Sequence, residues 1–249
     1  MLAEERFAAI LSLLNDKKSV TVLELTQALQ ISESTIRRDL ITLHKMGKLK
    51  KVHGGATLLH KDYGLYEMDM VARGNEHLEE KKKIAEYAAT LIQEHDFIYI
   101  DAGSTTLQFV EYIQEKDAVY VTNGLEHGRR LAKLGYRVFL LAGEIKEATE
   151  AVVGLGAVSS LQKYNFTKAF FGTNGIRLDR GFTTPDMNEA YVKGEAMKRS
   201  QKAYVLADSS KFGVCTSITV ADISDATIIT VKGVDQVYHK EADIIEVML

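Results

Sequence analysis

The chain opens with apolar residues at helical spacing: Leu2, Phe7, Ile10, Leu11, Leu13 and Leu14 predict an amphipathic helix ending near Asn15 and Asp16. A second helix is expected from Thr21 to Gln30. Thr21 is its cap, Leu23 with Glu24 gives a capping-box start, and Leu25, Ala28 and Leu29 form the apolar face. After a short turn, Ser32 is placed to cap a third helix over SESTIRRDLITLHKMG. There Ile36, Leu40 and Leu43 turn inward at i, i+4 and i+7, while Ser34, Thr35, Arg37 and Arg38 occupy the opposite face. Beyond Gly47, KLKKVHGGA alternates and ends on Gly54 and Gly55, the pattern of a small β-hairpin.

Neither period survives over residues 58–78. This segment lacks proline but carries Tyr63, Leu65, Tyr66, Met68 and Met70, so it reads as a linker that docks on a neighbour. From Glu79 onward, amphipathic helices alternate with short apolar runs: FIYI, AVYV, RVFLL, KAFFG, KAYVLAD and TIITV. Such alternation predicts a doubly wound, mainly parallel sheet covered by helices on both sides. The expected organisation is therefore α/β, with a small helical head at 1–57, a linker at 58–78 and an α/β body at 79–249.

Charge separates the two parts. Residues 1–57 hold 9 Lys+Arg against 6 Asp+Glu, a net +3, and the remainder holds 22 against 28, a net −6. A basic head on an acidic body suggests nucleic-acid contact by the head alone, because phosphates repel the body. Cys215 is the one cysteine, which excludes an intramolecular disulfide and a cysteine-built metal site and fits a small buried hydrophobe. The start has neither the basic leader nor the unbroken apolar stretch of a signal peptide, and no run reaches membrane-spanning length, so the expected location is the cytoplasm.

Two short helices joined by a tight turn, the second starting with hydroxyl residues and paired arginines, describe a helix-turn-helix whose second helix would enter the major groove of double-stranded DNA, although charge alone favours an ordinary solvated helix face on a three-helix unit that mediates protein contact. A guanidinium can bind guanine bidentately or clamp a phosphate, and short hydroxyl side chains permit close approach. Lys48, Lys50, Lys51 and His53 would lie along the phosphates. The string SESTIRRDL followed by G-x-L-x-x-V-H-G-G-A closely resembles the DeoR family of bacterial regulators. That resemblance implies a winged helix with Ser34, Thr35, Arg37 and Arg38 facing the operator. One head reads only a short half-site, so a homo-oligomer is expected.

In a doubly wound sheet, ligands bind beyond the carboxyl ends of the strands. Asp101, Asn123, Gly143 with Glu144, Thr173 with Asn174, and Asp208 with Lys211 all fall there. The turn DAGSTT leads into a helix expected to begin near Thr106. Amides from Gly103 to Thr106 and the hydroxyls of Ser104, Thr105 and Thr106 would point at a phosphate. The same D-x-G-S-T pattern occurs in actin-like sugar kinases, which stands as a rival reading. GLGAVS, residues 154–159, has no third glycine and no expected strand directly before it, so it reads as helix packing and not as a dinucleotide site. The seven histidines show no ligand spacing, and neither a metal nor a cofactor is expected.

Near the end, GFTTPDMNEAYVKG and LADSSKFG extend the DeoR resemblance over nearly the whole chain, with Pro185 setting a rigid turn that presents Thr183, Thr184 and Asp186. The resemblance implies a body similar to ribose-5-phosphate isomerase, and NGIRLDRGFTTPD looks most like the repressors of fructose operons. A phosphorylated sugar effector is implied, fructose 1-phosphate first and fructose bisphosphate second. Lys193 and Lys211 would meet phosphate or hydroxyls, with a plain solvated helix charge as the alternative for Lys193, and Asp101, Glu189 and Asp208 would accept hydroxyl protons. An isomerase or kinase fused to a DNA-binding head is the alternative. Against it, GFTTPD replaces the glycine-rich lysine stretch of true ribose-phosphate isomerases, and no second phosphate motif for a kinase is found.

Overall fold

The computed structural model describes residues 3–17, 19–46, 48–52, 54–57, 74 and 76–249. His53 and most of the expected linker, residues 58–73 and 75, lie outside the described residues. The chain divides into two compact units, Met1–Asp62 and Tyr63–Leu249.

In the first unit, α1 (Ala3–Lys17), α2 (Val22–Leu29) and α3 (Glu33–Lys45) enclose Ile10, Leu14, Leu25, Ile36, Leu40 and Leu43, all buried as the apolar spacing demands. The capping box forms as expected: Thr21 Oγ1 accepts the Glu24 N–H at 3.1 Å, and Glu24 accepts the Thr21 N–H at 2.8 Å. Ser32 departs from expectation. It is the N-cap of α3, but its hydroxyl makes no capping bond and lies 3.1 Å from both Ser34 Oγ and Thr35 Oγ1. The hairpin of β2 (Lys50–Val52) and β3 (Gly55–Thr57) is joined by an unexpected β1 (Ser19–Thr21), giving the order β1-β3-β2. Three residues are too few to show a period. Gly54 turns the hairpin at φ +82°, and a Cβ on Gly55 would meet the Val20 carbonyl at 2.2 Å, so β1 and the hairpin close only over glycine. Arg6 fastens α1 to α3 through a two-point ion pair with buried Asp39, one arm of which is 2.9 Å.

In the second unit, seven strands form an all-parallel sheet in the order β15-β14-β12-β9-β4-β5-β6. They are β4 (Phe97–Ile100), β5 (Val119–Thr122), β6 (Arg137–Leu140), β9 (Phe166–Gly172), β12 (Ser200–Leu206), β14 (Thr227–Val231) and β15 (Ile244–Val247). The six apolar runs supply six of these. The seventh, β15, follows a single helical turn, Gln236–His239, too short to register as a period. Alternate residues feed two cores, one on each face. Ile98, Ile100, Phe170 and Leu206 enter one, and Tyr99, Ala169, Phe171 and Val205 enter the other. At about 1.5–3 kcal/mol per buried large apolar side chain, these two layers hold the unit together.

Short antiparallel pieces decorate the sheet: a hairpin of β7 (Glu144–Lys146) and β8 (Ala151–Val153), and a sheet of β10 (Gly175–Arg177), β11 (Gly181–Thr184) and β13 (Ile218–Ala221). Three expectations are corrected here. The helix after β4 starts at Ser104, two residues earlier than expected. A strand, β8, does directly precede GLGAVS, although this strand belongs to a two-stranded hairpin and leads into the helix Leu155–Leu161. Cys215 is only partly buried, its thiol directed to the Thr216 carbonyl at 3.5 Å. Among the described residues, no helix is long and apolar enough to cross a membrane.

Candidate functional site

In the first unit, Ser34, Arg37 and Arg38 are exposed on one face of α3, with Thr35 partly buried beside them. Arg37 Nη2 bonds Glu33 Oε2 one turn back at 3.0 Å, between two half-exposed side chains, so solvent screens this pair and a stronger anion can draw the guanidinium away. Lys48 is exposed just before the hairpin, and Lys50 and Lys51 are exposed on β2.

In the second unit, the strand order reverses between β4 and β9. The crevice beyond the carboxyl ends of those two strands is therefore the switch point at which such sheets accept ligands. A cleft lies there, lined by Ser104 and Thr105 after β4, Thr173 and Asn174 after β9, Glu189 and Lys193, and Lys211. Its wall also includes Ala102, Gly103, Thr149 and Gly172, and Thr149 is a residue that the sequence reading missed. The helix Ser104–Tyr112 offers first-turn amides with no intrahelical acceptor, the usual attraction of a helix start for an anion.

Two buried carboxylates organise the cleft from behind. Asp101, the residue after β4, binds the Lys193 ammonium and accepts the Gly172 N–H at 3.1 Å through Oδ2, while its Oδ1 is buried without a hydrogen-bond partner. Burial pushes the Asp101 carboxyl above its ordinary range despite the ammonium beside it. Lys193 is thus a buried ion-pair partner reached from the helix Met187–Lys198, not a solvated helix charge. Asp208, beyond β12, caps a single 3-10 turn, Ser209–Lys211, by accepting the Ser210 N–H at 3.1 Å. Its Oδ2 lies 3.6 Å from Lys211 Nζ and likewise has no hydrogen-bond partner. Burial acts to raise the Asp208 carboxyl, but Lys211, Ser210, Lys81 and His77 hold it below the usual carboxylate value. Lys81 is only 1% exposed, in the helix Leu78–Ala89, although it stands in the charged run EEKKK; it was not among the expected site residues.

Glu189 is buried and accepts hydrogen bonds from Thr149 (2.9 Å), Lys146 (3.2 Å) and Thr184 (3.4 Å). Lys146 also pairs with Asp186, the N-cap of the same helix, at 3.1 Å. The turn at Pro185 therefore presents Asp186 to Lys146, and Thr183 and Thr184 are buried in β11.

Three expected ligand contacts serve the scaffold instead. Because its helix starts early, Thr106 faces the core: its hydroxyl donates to the Asp101 carbonyl at 2.6 Å and sits 3.1 Å from His127 Nε2. Burial pushes His127 down to about 4, so its ring is neutral. Asn123 accepts the Ala102 N–H (2.8 Å) and donates to the Val152 carbonyl (3.3 Å), tying the loop after β4 to β8. Gly143 is a close-approach position, where a Cβ would meet the Val153 carbonyl at 2.6 Å. One constellation was not expected: donor atoms of His77, Glu80 and Asp208 lie within 4.8 Å of one another. The Lys81 and Lys211 ammoniums act on that same Asp208 carboxylate and already supply cationic charge there.

The family model described as the DeoR-like helix-turn-helix domain matches residues 6–62, and that described as the DeoR C terminal sensor domain matches residues 76–232. The uncharacterized HTH-type transcriptional regulator FruR of Bacillus subtilis is 43% identical over all of this chain and 99% of its own length. A lactose phosphotransferase system repressor of Staphylococcus epidermidis is 36% identical over 84% of each chain. Among solved structures, ribose 5-phosphate isomerase from Plasmodium falciparum is similar over 55% of this chain and 52% of that one, at 20% identity and a TM-score of 0.40.

Proposed function

The chain belongs to the DeoR family of transcriptional regulators, and from that premise we propose that it represses a sugar-utilisation operon, a fructose operon first, under control of a phosphorylated sugar. Residues 1–57 form the DNA-binding head, 58–78 the linker and 79–249 the sensor. Ser34, Thr35, Arg37 and Arg38 read the operator, and Lys48, Lys50, Lys51 and His53 follow its phosphates. The protein acts in the cytoplasm as a homo-oligomer, two heads on two half-sites.

The observation that carries this reading is the mixed chemistry of the switch-point cleft. A helix start with Ser104 and Thr105, together with Lys211, forms an anion-accepting side. Glu189 forms a side that accepts hydroxyl protons, backed by the buried carboxylates of Asp101 and Asp208, each of these two with an oxygen that lacks a hydrogen-bond partner. A sugar phosphate matches both sides. Thr173, Asn174 and Lys193 complete the contacts, and Thr106, Asn123 and Gly143 hold the loops in place. The role is sensing and not turnover.

Calorimetric titration with fructose 1-phosphate, fructose bisphosphate and unphosphorylated fructose tests the assignment. Binding of a phosphorylated form, with a matching shift of affinity for a DNA duplex selected on the wild-type protein, is expected. Equal binding of unphosphorylated fructose, or turnover of the phosphosugar with or without ATP, overturns the reading.

A further inference from the structure

Lys211 projects into the cleft from the single 3-10 turn Ser209–Lys211, and that turn is fastened from outside the cleft. Ser209 donates both its backbone N–H (2.8 Å) and its hydroxyl (3.0 Å) to the Glu80 carboxylate, 129 residues earlier in the chain. His77 Nδ1 lies 2.8 Å from the same carboxylate. Lys81, next in sequence, is buried, and its charge acts on Asp208. Three residues of one helical entry, 77, 80 and 81, thus meet the Asp208–Lys211 turn. The segment leading into that entry comes from the helix-turn-helix unit.

We infer that Glu80 is a positioning residue whose grip on Ser209 couples ligand at Lys211 to the segment carrying the DNA-binding head. This rests on the reading that the cleft takes a phosphorylated sugar. The Lys211–Asp208 pair is long, 3.6 Å, so a phosphate dianion competes effectively for the ammonium. Drawing Lys211 toward the ligand unbalances Asp208, which already has one oxygen without a hydrogen bond and caps the turn through the other. The turn moves, and Glu80 follows because two bonds to Ser209 fix it there. Both ends of the linkage lie within the sensor, and its output is the position of residue 77, where the joining segment arrives.

The test uses full-length protein in two arms. In the first, hydrogen exchange without ligand compares wild type, Glu80→Ala, Glu80→Gln and Ser209→Ala. Amides 209–213 should exchange at least tenfold faster in Glu80→Ala. Glu80→Gln, which keeps an acceptor, should stay within about threefold of wild type, and Ser209→Ala, which keeps the N–H donor, should fall between. In the second arm, the affinity for the selected duplex is measured with and without saturating fructose 1-phosphate. The ratio of the two should fall at least fivefold toward unity in Glu80→Ala and recover in Glu80→Gln, within the usual range of coupling factors. Unchanged exchange at 209–213, or a wild-type ratio retained in Glu80→Ala, overturns the inference. If Glu80→Ala fails to fold, Ser209→Ala decides: amides 209–213 should exchange faster, and the affinity ratio should lie nearer unity, than in Glu80→Gln, and no difference between these two variants overturns the inference. An intact exchange pattern in a wild-type protein that binds no phosphosugar overturns the functional reading alone.

Discussion

Substituting Lys193→Met keeps the aliphatic length of the side chain and removes its charge, leaving the Asp101 carboxylate buried, 1% exposed, with the Gly172 amide as its remaining donor among the described residues. Breaking a buried pair by deleting one partner costs about 3–5 kcal/mol, because the other charge stays desolvated. At roughly 2–4 °C per kcal/mol for a unit of this size, the sensor's melting temperature should fall by about 10 °C near neutral pH. The pH dependence has a definite sign. Burial already raises the folded-state pKa of Asp101, and loss of the ammonium raises it further. Between the unfolded and folded values, the folded state holds a proton that the unfolded state has released, so the variant gains stability as pH falls through that window. Its deficit should be largest at pH 8 and smaller at pH 5, and Asp101→Asn combined with Lys193→Met should recover much of the loss. Calorimetric melting at the two pH values decides it. A deficit under about 1 kcal/mol at pH 8, or one that grows on acidification, refutes the argument.

Arg37→Ala and Arg38→Ala should each weaken binding to the selected duplex by ~1–3 kcal/mol where a base contact is lost, or lower the salt slope by about 1 where a phosphate contact is lost. Unchanged affinity in both at fixed salt removes α3 as the reading helix. Lys211→Ala should weaken fructose 1-phosphate about tenfold to a hundredfold by calorimetry, the worth of one charge-assisted hydrogen bond of ~1.5–3 kcal/mol, and no loss there shifts the phosphate to another cation. His127 stays neutral in the fold, its pKa down at about 4 against about 6.5 unfolded. Its contribution is therefore full above pH 6.5 and falls by about 3 kcal/mol as pH drops toward 4. Urea denaturation between pH 7 and 4.5 should show that slope in wild type and a flatter one in His127→Gln.

The head was legible because its periods are clean and its capping box is local: Thr21 and Glu24 find each other three residues apart. Six of the seven parallel strands were legible because each contains a short apolar run, buried on both faces in the central strands β4 and β9 and more exposed in the edge strand β6. What escaped notice depends on distance or brevity. Strands β1, β7, β8 and β10 have three residues each, too few for alternation to be recognised. Lys81 looks like a solvated helix charge and Lys193 was expected at the ligand, and nothing local to either predicts the buried carboxylates of Asp208 and Asp101 as their neighbours. Thr106 was misassigned for a different reason. The two-residue shift of its helix start rotates the hydroxyl by about half a turn, from ligand to core.

On the proposed reading of the operator by α3, folding and DNA contact fall to different side chains. Ile36, Asp39, Leu40 and Leu43 carry the helix's packing and its ion pair to Arg6, while Ser34, Arg37 and Arg38 have no share in the core. A lineage can therefore exchange the reading residues with little effect on the stability of the head, and each such exchange presents a different surface to DNA. On the same reading, a duplicated gene could move to a new operator through changes confined to that exposed face, with the packing of the head untouched.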